Sequence, residues 1–178
     1  QYNKEDFMKK GKRILAAFLA VLMVVAIMPT SWATKKVKAA TETKVYTLNA
    51  NDLEAVAQGT KADGDVVKAG TDNFFSIICS AKTKFDASKK SFSDGFEGTQ
   101  RINFGEGTTT AKNAIRFTTE GTATVTVWWA CGDAGREVTI LDKDGKEVAT
   151  TSEGLAKNAM AISTLTVPEA GTYYLGNT

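Results

Sequence analysis

Two adjacent tryptophans, Trp128-Trp129, are the residues whose type and position most suggest chemistry in this chain. Neighbours in an extended segment point to opposite faces, so one ring packs inward and the other faces out. Ala123, Val125, Val127 and Trp129 share one face, which assigns Trp129 to the interior and Trp128 to the surface. An exposed flat indole suits the C–H face of a sugar ring, with burial of aromatic area as the energy source. The plainer alternative covers Trp128 with Ala114, the stem of Arg116 or a further strand, since single exposed apolar residues are ordinary.

Other chemistries find less support. None of the 178 residues is a histidine, which excludes Ser-His-Asp and Cys-His catalysis and His-ligated zinc for this chain. Cys79 and Cys131 are too few for a four-thiolate site. In an oxidising exterior they could pair as a disulfide, and a buried inert thiol at each position is the alternative. Asp142-Lys143-Asp144-Gly145 resembles the start of a calcium loop but lacks the further acidic ligands and terminal Glu, so it reads first as a hairpin turn. Glu153, Glu169 and scattered aspartates are carboxylates with nothing in the sequence to hold two of them around a sugar. No catalytic residue, metal site or cofactor is assigned.

The elements that must position these groups are short strands. Lys44–Leu48, Phe74–Cys79, Arg101–Phe104, Ala114–Thr119, Ala123–Trp129, Arg136–Asp142, Lys146–Thr150, Ala161–Val167 and Thr172–Leu175 are β-prone runs separated by turn residues. Val66-Val67 is a shorter run, and Asn51–Glu54 could start one helical turn. No ten-residue amphipathic helical pattern follows Pro29. The spacing predicts an all-β fold, an antiparallel β-sandwich or barrel, with a sandwich of jelly-roll type expected. A three-residue loop, Glu120-Gly121-Thr122, is expected to join Ala114–Thr119 and Ala123–Trp129 as a hairpin. That register pairs Phe117 with Val125 and Ile115 with Val127, keeping every apolar group inward. It would also make Arg116 and Trp128 diagonal neighbours on the outer face, a combined candidate surface for carbohydrate.

The N-terminal portion is of a different kind. Lys9, Lys10, Lys12 and Arg13 precede fifteen residues, Ile14 to Met28, without a polar side chain, and Pro29 follows. Basic cluster, apolar run and breaker make a secretory signal peptide, here residues 8–39, whose helix Pro29 breaks. The run is shorter than the roughly 20 apolar residues of a membrane span, so no permanent anchor is expected. Small residues at −3 and −1 offer cleavage before Thr34 or before Ala40, and removal of the basic Lys35–Lys38 segment favours the second. Residues 1–7 precede the natural start at Met8 and read as translated leader.

Cleavage changes the charge. The whole chain has a net charge of +2, but residues 40–178 hold 14 basic against 18 acidic residues, a net of −4. A mildly acidic extracellular domain has no electrostatic footprint for nucleic acid. Those 139 residues suit one domain, with no internal repeat and no Pro- or Gly/Ser-rich linker. The last residues, Gly176-Asn177-Thr178, read as a turn after a strand, as in a module truncated at its C-terminal strand.

Four stretches carry a resemblance to a known family: Asp94–Gly105 (DGFEGTQRINFG), Thr126–Trp129 (TVWW), Ile140–Val148 (ILDKDGKEV) and Gly171–Gly176 (GTYYLG). From about Ala40 onward the chain resembles the N-terminal non-catalytic β-sandwich module of secreted Gram-positive pectate lyases, a group of polysaccharide lyases. The last two stretches are also similar to pre-peptidase-type sandwich modules found in unrelated hosts. The resemblance implies a parent whose catalytic β-helix domain follows in cis and whose lyase reaction uses calcium. It implies an accessory, non-enzymatic role for this module, contacting pectin-like plant cell-wall polysaccharide outside the cell. A purely structural spacer with no ligand is the alternative expectation.

Overall fold

The computed structural model describes residues 43–53 and 61–178, where the β-branched and aromatic runs form ten strands. The chain divides into two units, Gln1–Lys44 and Val45–Thr178. The leader at 1–7, the signal peptide at 8–39 and both cleavage sites lie outside the described residues. Among the described residues no helix is long and apolar enough to cross a membrane.

The strands are β1 (Val66–Ala69), β2 (Phe75–Ile78), β3 (Lys84–Ser91), β4 (Glu97–Asn103), β5 (Ala114–Thr119), β6 (Ala123–Ala130), β7 (Val138–Leu141), β8 (Glu147–Thr150), β9 (Met160–Val167) and β10 (Gly171–Asn177). Six of them form one sheet in the order β1-β2-β5-β10-β7-β8, while β3-β4 and β6-β9 form two ribbons. Every strand pairing is antiparallel.

Alternation dictates how these layers meet. Phe117, Val138, Ile140, Tyr173 and Leu175 of the large sheet pack against Leu165 and Val167 of β9, with Val125, Val127 and Trp129 of β6 alongside. Toward the other end, Val67, Ala69, Ile77 and Cys79 pack with Phe85, Ile102 and Phe104 from the β3-β4 ribbon and its flank. Ile77, Ile140 and Val167 are wholly buried, each contributing about 1.5–3 kcal/mol of transfer free energy. The fold is an all-β antiparallel sandwich, as the sequence predicts, with the two ribbons covering one face of the six-stranded sheet.

The expected hairpin between β5 and β6 does not form. β5 pairs with β2 and β10, whereas β6 pairs with β9. Residues 120–122 instead carry the chain from one layer to the other, beside the β9–β10 connection that makes the same crossing. Hydroxyls stitch the two crossings together: Thr119 Oγ1 donates to the Glu169 carbonyl (3.1 Å) and Thr122 Oγ1 to the Pro168 carbonyl (2.7 Å). Inward-facing residues of two packed sheets look alike in sequence, so alternation assigns the face of a strand without naming its neighbour.

Local chemistry explains the remaining connections. The β7–β8 hairpin forms as expected: Asp142 Oδ1 accepts the N–H groups of Asp144 and Lys146, both at 2.9 Å, and Gly145 takes φ 80°. Residues 44–48 are not a strand. The Thr71 N–H donates to the Thr47 carbonyl at 2.9 Å, and Tyr46 stacks on Phe74 at 3.8 Å, so this segment is held by a loop and one ring. A 3-10 turn at Ala50–Leu53 fixes Asn51 against β4. There the Asn51 Oδ1 accepts from the Thr99 and Gln100 amides, and its Nδ2 donates to the Glu97 carbonyl. A single side chain thus takes the place of a neighbouring strand along an otherwise open edge.

Candidate functional site

The outer face of the six-stranded sheet carries the main candidate surface. Register sets Lys68 of β1 beside Ser76 of β2, Ser76 beside Arg116 of β5, Arg116 beside Tyr174 of β10, and Tyr174 beside Leu141 of β7. At about 4.8 Å per strand this row crosses the sheet for roughly 19 Å. Phe117 and Tyr173 point into the core, so the pleat turns Arg116 and Tyr174 to the outside. The next outward pair is Thr118 and Thr172, whose hydroxyls meet at 3.2 Å.

Lys68, Ser76, Arg116, Tyr174, Thr118 and Thr172, with Phe74 and with Lys143 from the β7–β8 turn, line an open depression of about 480 Å³. Its charge is one-sided: Lys68, Arg116 and Lys143 line it and no carboxylate does. Lys68 Nζ donates to Ser76 Oγ at 2.8 Å, which leaves its charge unneutralised. Lys143 contacts Asp144 at 2.6 Å, but both side chains are largely exposed, where such a pair is weak and readily exchanged. Among the described residues Arg116 has no carboxylate within ion-pair distance. Four cations away from this face, Lys82, Arg101, Lys112 and Lys157, are paired with carboxylates. Arg101 makes a two-pronged contact with Asp86 (2.6 and 3.1 Å), and Glu106 sits between Lys82 and Lys112. The Arg101 guanidinium holds the Asp86 carboxyl below the usual range, and the two lysines do the same to Glu106.

Trp128 occupies a different surface. It is 42% exposed on the outer side of β6, and Trp129 on the inner side is packed against the core, as alternation predicts. Trp129 Nε1 donates to Ser163 Oγ at 2.9 Å. The Trp128 ring is partly engaged: Nε1 donates to Asp94 Oδ2 at 2.8 Å, and the ring centroid lies 5.9 Å from that of Phe96. Asp94 belongs to the turn between β3 and β4, so this contact ties one ribbon to the other. The Phe96 amide, and after it the Trp128 indole, hold the Asp94 carboxyl below its ordinary value.

Arg116 and Trp128 are therefore not neighbours. Without a β5–β6 hairpin they stand on opposite outer faces of the sandwich, Arg116 on the large sheet and Trp128 on a ribbon. Ala114, expected opposite Trp128 on the surface, is wholly buried. Nor do Cys79 and Cys131 form the possible disulfide. Both are free buried thiols, Cys79 beyond the end of β2 with its Sγ directed to the Ile77 carbonyl, and Cys131 beyond the end of β6 directed to the Asp133 carbonyl. Burial raises the pKa of the Cys79 thiol. Among the described residues no group of three or more Cys, Asp or Glu side chains could hold a metal ion.

Sequence reasoning named Arg116 as a candidate and did not name Lys68, Ser76, Tyr174 or Lys143, which line the same depression. Tyr173-Tyr174 carried the same inside–outside signal as Trp128-Trp129. The outward placement of Tyr174 was legible, and its position beside Arg116 was not. No protein-family model matches this chain, and no curated protein is significantly similar to it in sequence.

Proposed function

We propose that the protein is an accessory, carbohydrate-contacting module of an extracellular lyase acting on plant cell-wall polysaccharide, without catalytic activity of its own. The observation that carries this reading is the row Lys68–Ser76–Arg116–Tyr174 on the outer sheet face, in which Ser76 is buried while Lys68, Arg116 and Tyr174 reach solvent. It sets a ring that can stack on a sugar beside donors and hydroxyls that can take the sugar's oxygens. A solvent-open depression suits a polymer better than a small molecule, which is usually enclosed on most sides. The signal-peptide pattern and the four stretches resembling lyase modules support export and a polysaccharide-degrading parent. In that parent, calcium belongs to the lyase reaction and a catalytic domain lies in cis.

Arg116 and Tyr174 are assigned to ligand contact, and Trp128 moves from platform to inter-ribbon tie. That engagement of Trp128 favours the second reading, a structural spacer with no ligand, because the most conspicuous ring of the chain already has an internal task. Affinity electrophoresis of the protein through gels containing plant cell-wall polysaccharides separates the two. The ligand-binding reading expects retardation that Tyr174→Ala abolishes and Trp128→Phe leaves intact. Migration unaffected by every polysaccharide leaves the spacer, and retardation lost only with Trp128 returns the site to β6.

A further inference from the structure

The tip of the β3–β4 ribbon carries aromatic rings where a turn usually carries polar groups. Its loop, Ser93-Asp94-Gly95, is closed by a hydrogen bond from the Phe92 N–H to the Phe96 carbonyl at 2.9 Å, and Gly95 takes φ 90°. That pairing sets Phe92 opposite Phe96, with both rings on one side of the ribbon. Their centroids lie 6.0 Å apart at 38°, and the row of rings continues from Phe96 to Trp128 at 5.9 Å and 56°. At these angles the rings splay from one another, whereas Tyr46 and Phe74 lie flat together at 3.8 Å and 10°. Trp128 is exposed and the two phenyl rings are half-buried. On β9, Ile162 stands opposite Trp128, and the exposed Met160 lies one pair further along the same outer face.

One carboxylate belongs to this corner. Asp94 accepts the Trp128 indole N–H at 2.8 Å and the Phe96 amide at 3.0 Å. An indole N–H lies in the ring plane, so this bond holds Trp128 by its edge and leaves its face. Both donors are neutral, so the charge of Asp94 is not cancelled, and among the described residues no lysine or arginine pairs with it. Nor, among the described residues, does a cation stand over any of the three rings; Lys61 does so over Phe85.

We propose that this corner binds a trimethylammonium group, as carried by choline. The ring faces attract a cation through their quadrupoles, tryptophan most strongly, and Asp94 supplies the countercharge. A primary ammonium has three N–H donors to satisfy, and the corner offers a single carboxylate. A trimethylammonium has none, and its methyl groups spread the charge over a surface that meets Phe96, Trp128, Ile162 and Met160. The corner stands on the opposite outer face from Arg116 and Tyr174, so the inference goes beyond the carbohydrate reading and does not depend on it.

Calorimetric titration of the full chain with choline, with ethanolamine and with the neutral tert-butyl analogue of choline, in which carbon replaces nitrogen, tests this without any substitution. Choline should bind at least about tenfold tighter than either of the others. Phe96→Leu keeps an apolar side chain but removes a ring, and should weaken choline about two- to fivefold, the scale of an exposed cation–π contact. Asp94→Asn should weaken it as well, and Tyr174→Ala should leave it unchanged. Capture by phosphatidylcholine vesicles and not by phosphatidylethanolamine vesicles assigns the group to a lipid headgroup. Binding of phosphocholine without vesicle capture assigns it to a soluble or polymer-borne choline, and either source upholds the proposal. Equal affinity for choline and its neutral analogue reduces the corner to an apolar patch and overturns the proposal. Tighter binding of ethanolamine, no binding of choline at millimolar concentration, or affinity that neither Phe96→Leu nor Asp94→Asn alters overturns it too. All these outcomes leave the polysaccharide test on the large sheet untouched.

Discussion

Trp128 donates its indole N–H to the carboxylate of Asp94 at 2.8 Å, joining residues 34 apart in sequence and two ribbons that share no backbone ladder. With Phe96 beside the ring, this contact fixes the β3–β4 turn against β6. The Asp94 carboxyl is held below its ordinary pKa, so the folded state favours its ionised form. The stabilisation is then present above the unfolded carboxyl value, about 3.9, and is lost as pH falls through the lower folded value. Tryptophan emission should therefore stay native down to about pH 4 and change only below it. Asp94→Ala should remove that acid step while the protein remains folded at neutral pH; a step that survives the substitution assigns it to another carboxyl.

Gly176 is the least replaceable glycine of the central strand β10. A Cβ there would overlap Thr108 Oγ1 and lie 2.8 Å from the Asn113 carbonyl. That hydroxyl cannot withdraw freely, because it donates to the Asn113 carbonyl (2.7 Å) and accepts from the Asn177 amide (2.8 Å). Gly176→Ala should cost about 1–3 kcal/mol, the range for overpacking a filled site. Denaturant titration against Gly121→Ala, where an added methyl meets nothing, gives the measure. Equal midpoints for the two variants would contradict the close approach.

The two thiols offer a chemical test of the core. Both cysteines are free and buried, and the raised pKa of Cys79 keeps that thiol protonated and unreactive. Alkylation followed by mass measurement should add nothing to the native protein and two groups after unfolding without reductant. A protein that takes up none after unfolding would carry the disulfide instead. Replacing both by Ser should disturb packing locally without the 2–5 kcal/mol loss typical of removing a native disulfide from a small secreted domain.

Much of the local structure was legible in the residues themselves. The Asp142–Gly145 turn, the inward Trp129 and outward Trp128, and the strand characters of β2, β5, β6 and β9 follow from side-chain alternation and from groups at most four residues apart. The extended 44–48 segment misled because its β-prone residues have no strand beside them; Tyr46 stacks on Phe74 instead. β3 hides its character behind Lys84, Lys89 and Lys90, since one side of the ribbon faces solvent.

By itself, the sequence determined composition, charge, the absence of histidine chemistry, the all-β class and the face on which each well-patterned side chain stands. The tertiary structure alone decided which strands are neighbours. The β5–β6 pattern is equally consistent with a hairpin and with a crossing between layers, because both bury Phe117 and Val125. Only the whole sandwich selects the crossing, through its shared core and the Thr119 and Thr122 hydrogen bonds. That selection separated Arg116 from Trp128, engaged Trp128 with Asp94, and set Arg116 between Ser76 and Tyr174. A period of two encodes orientation locally, whereas adjacency depends on contacts among residues 30 to 60 positions apart, which no short stretch of sequence specifies.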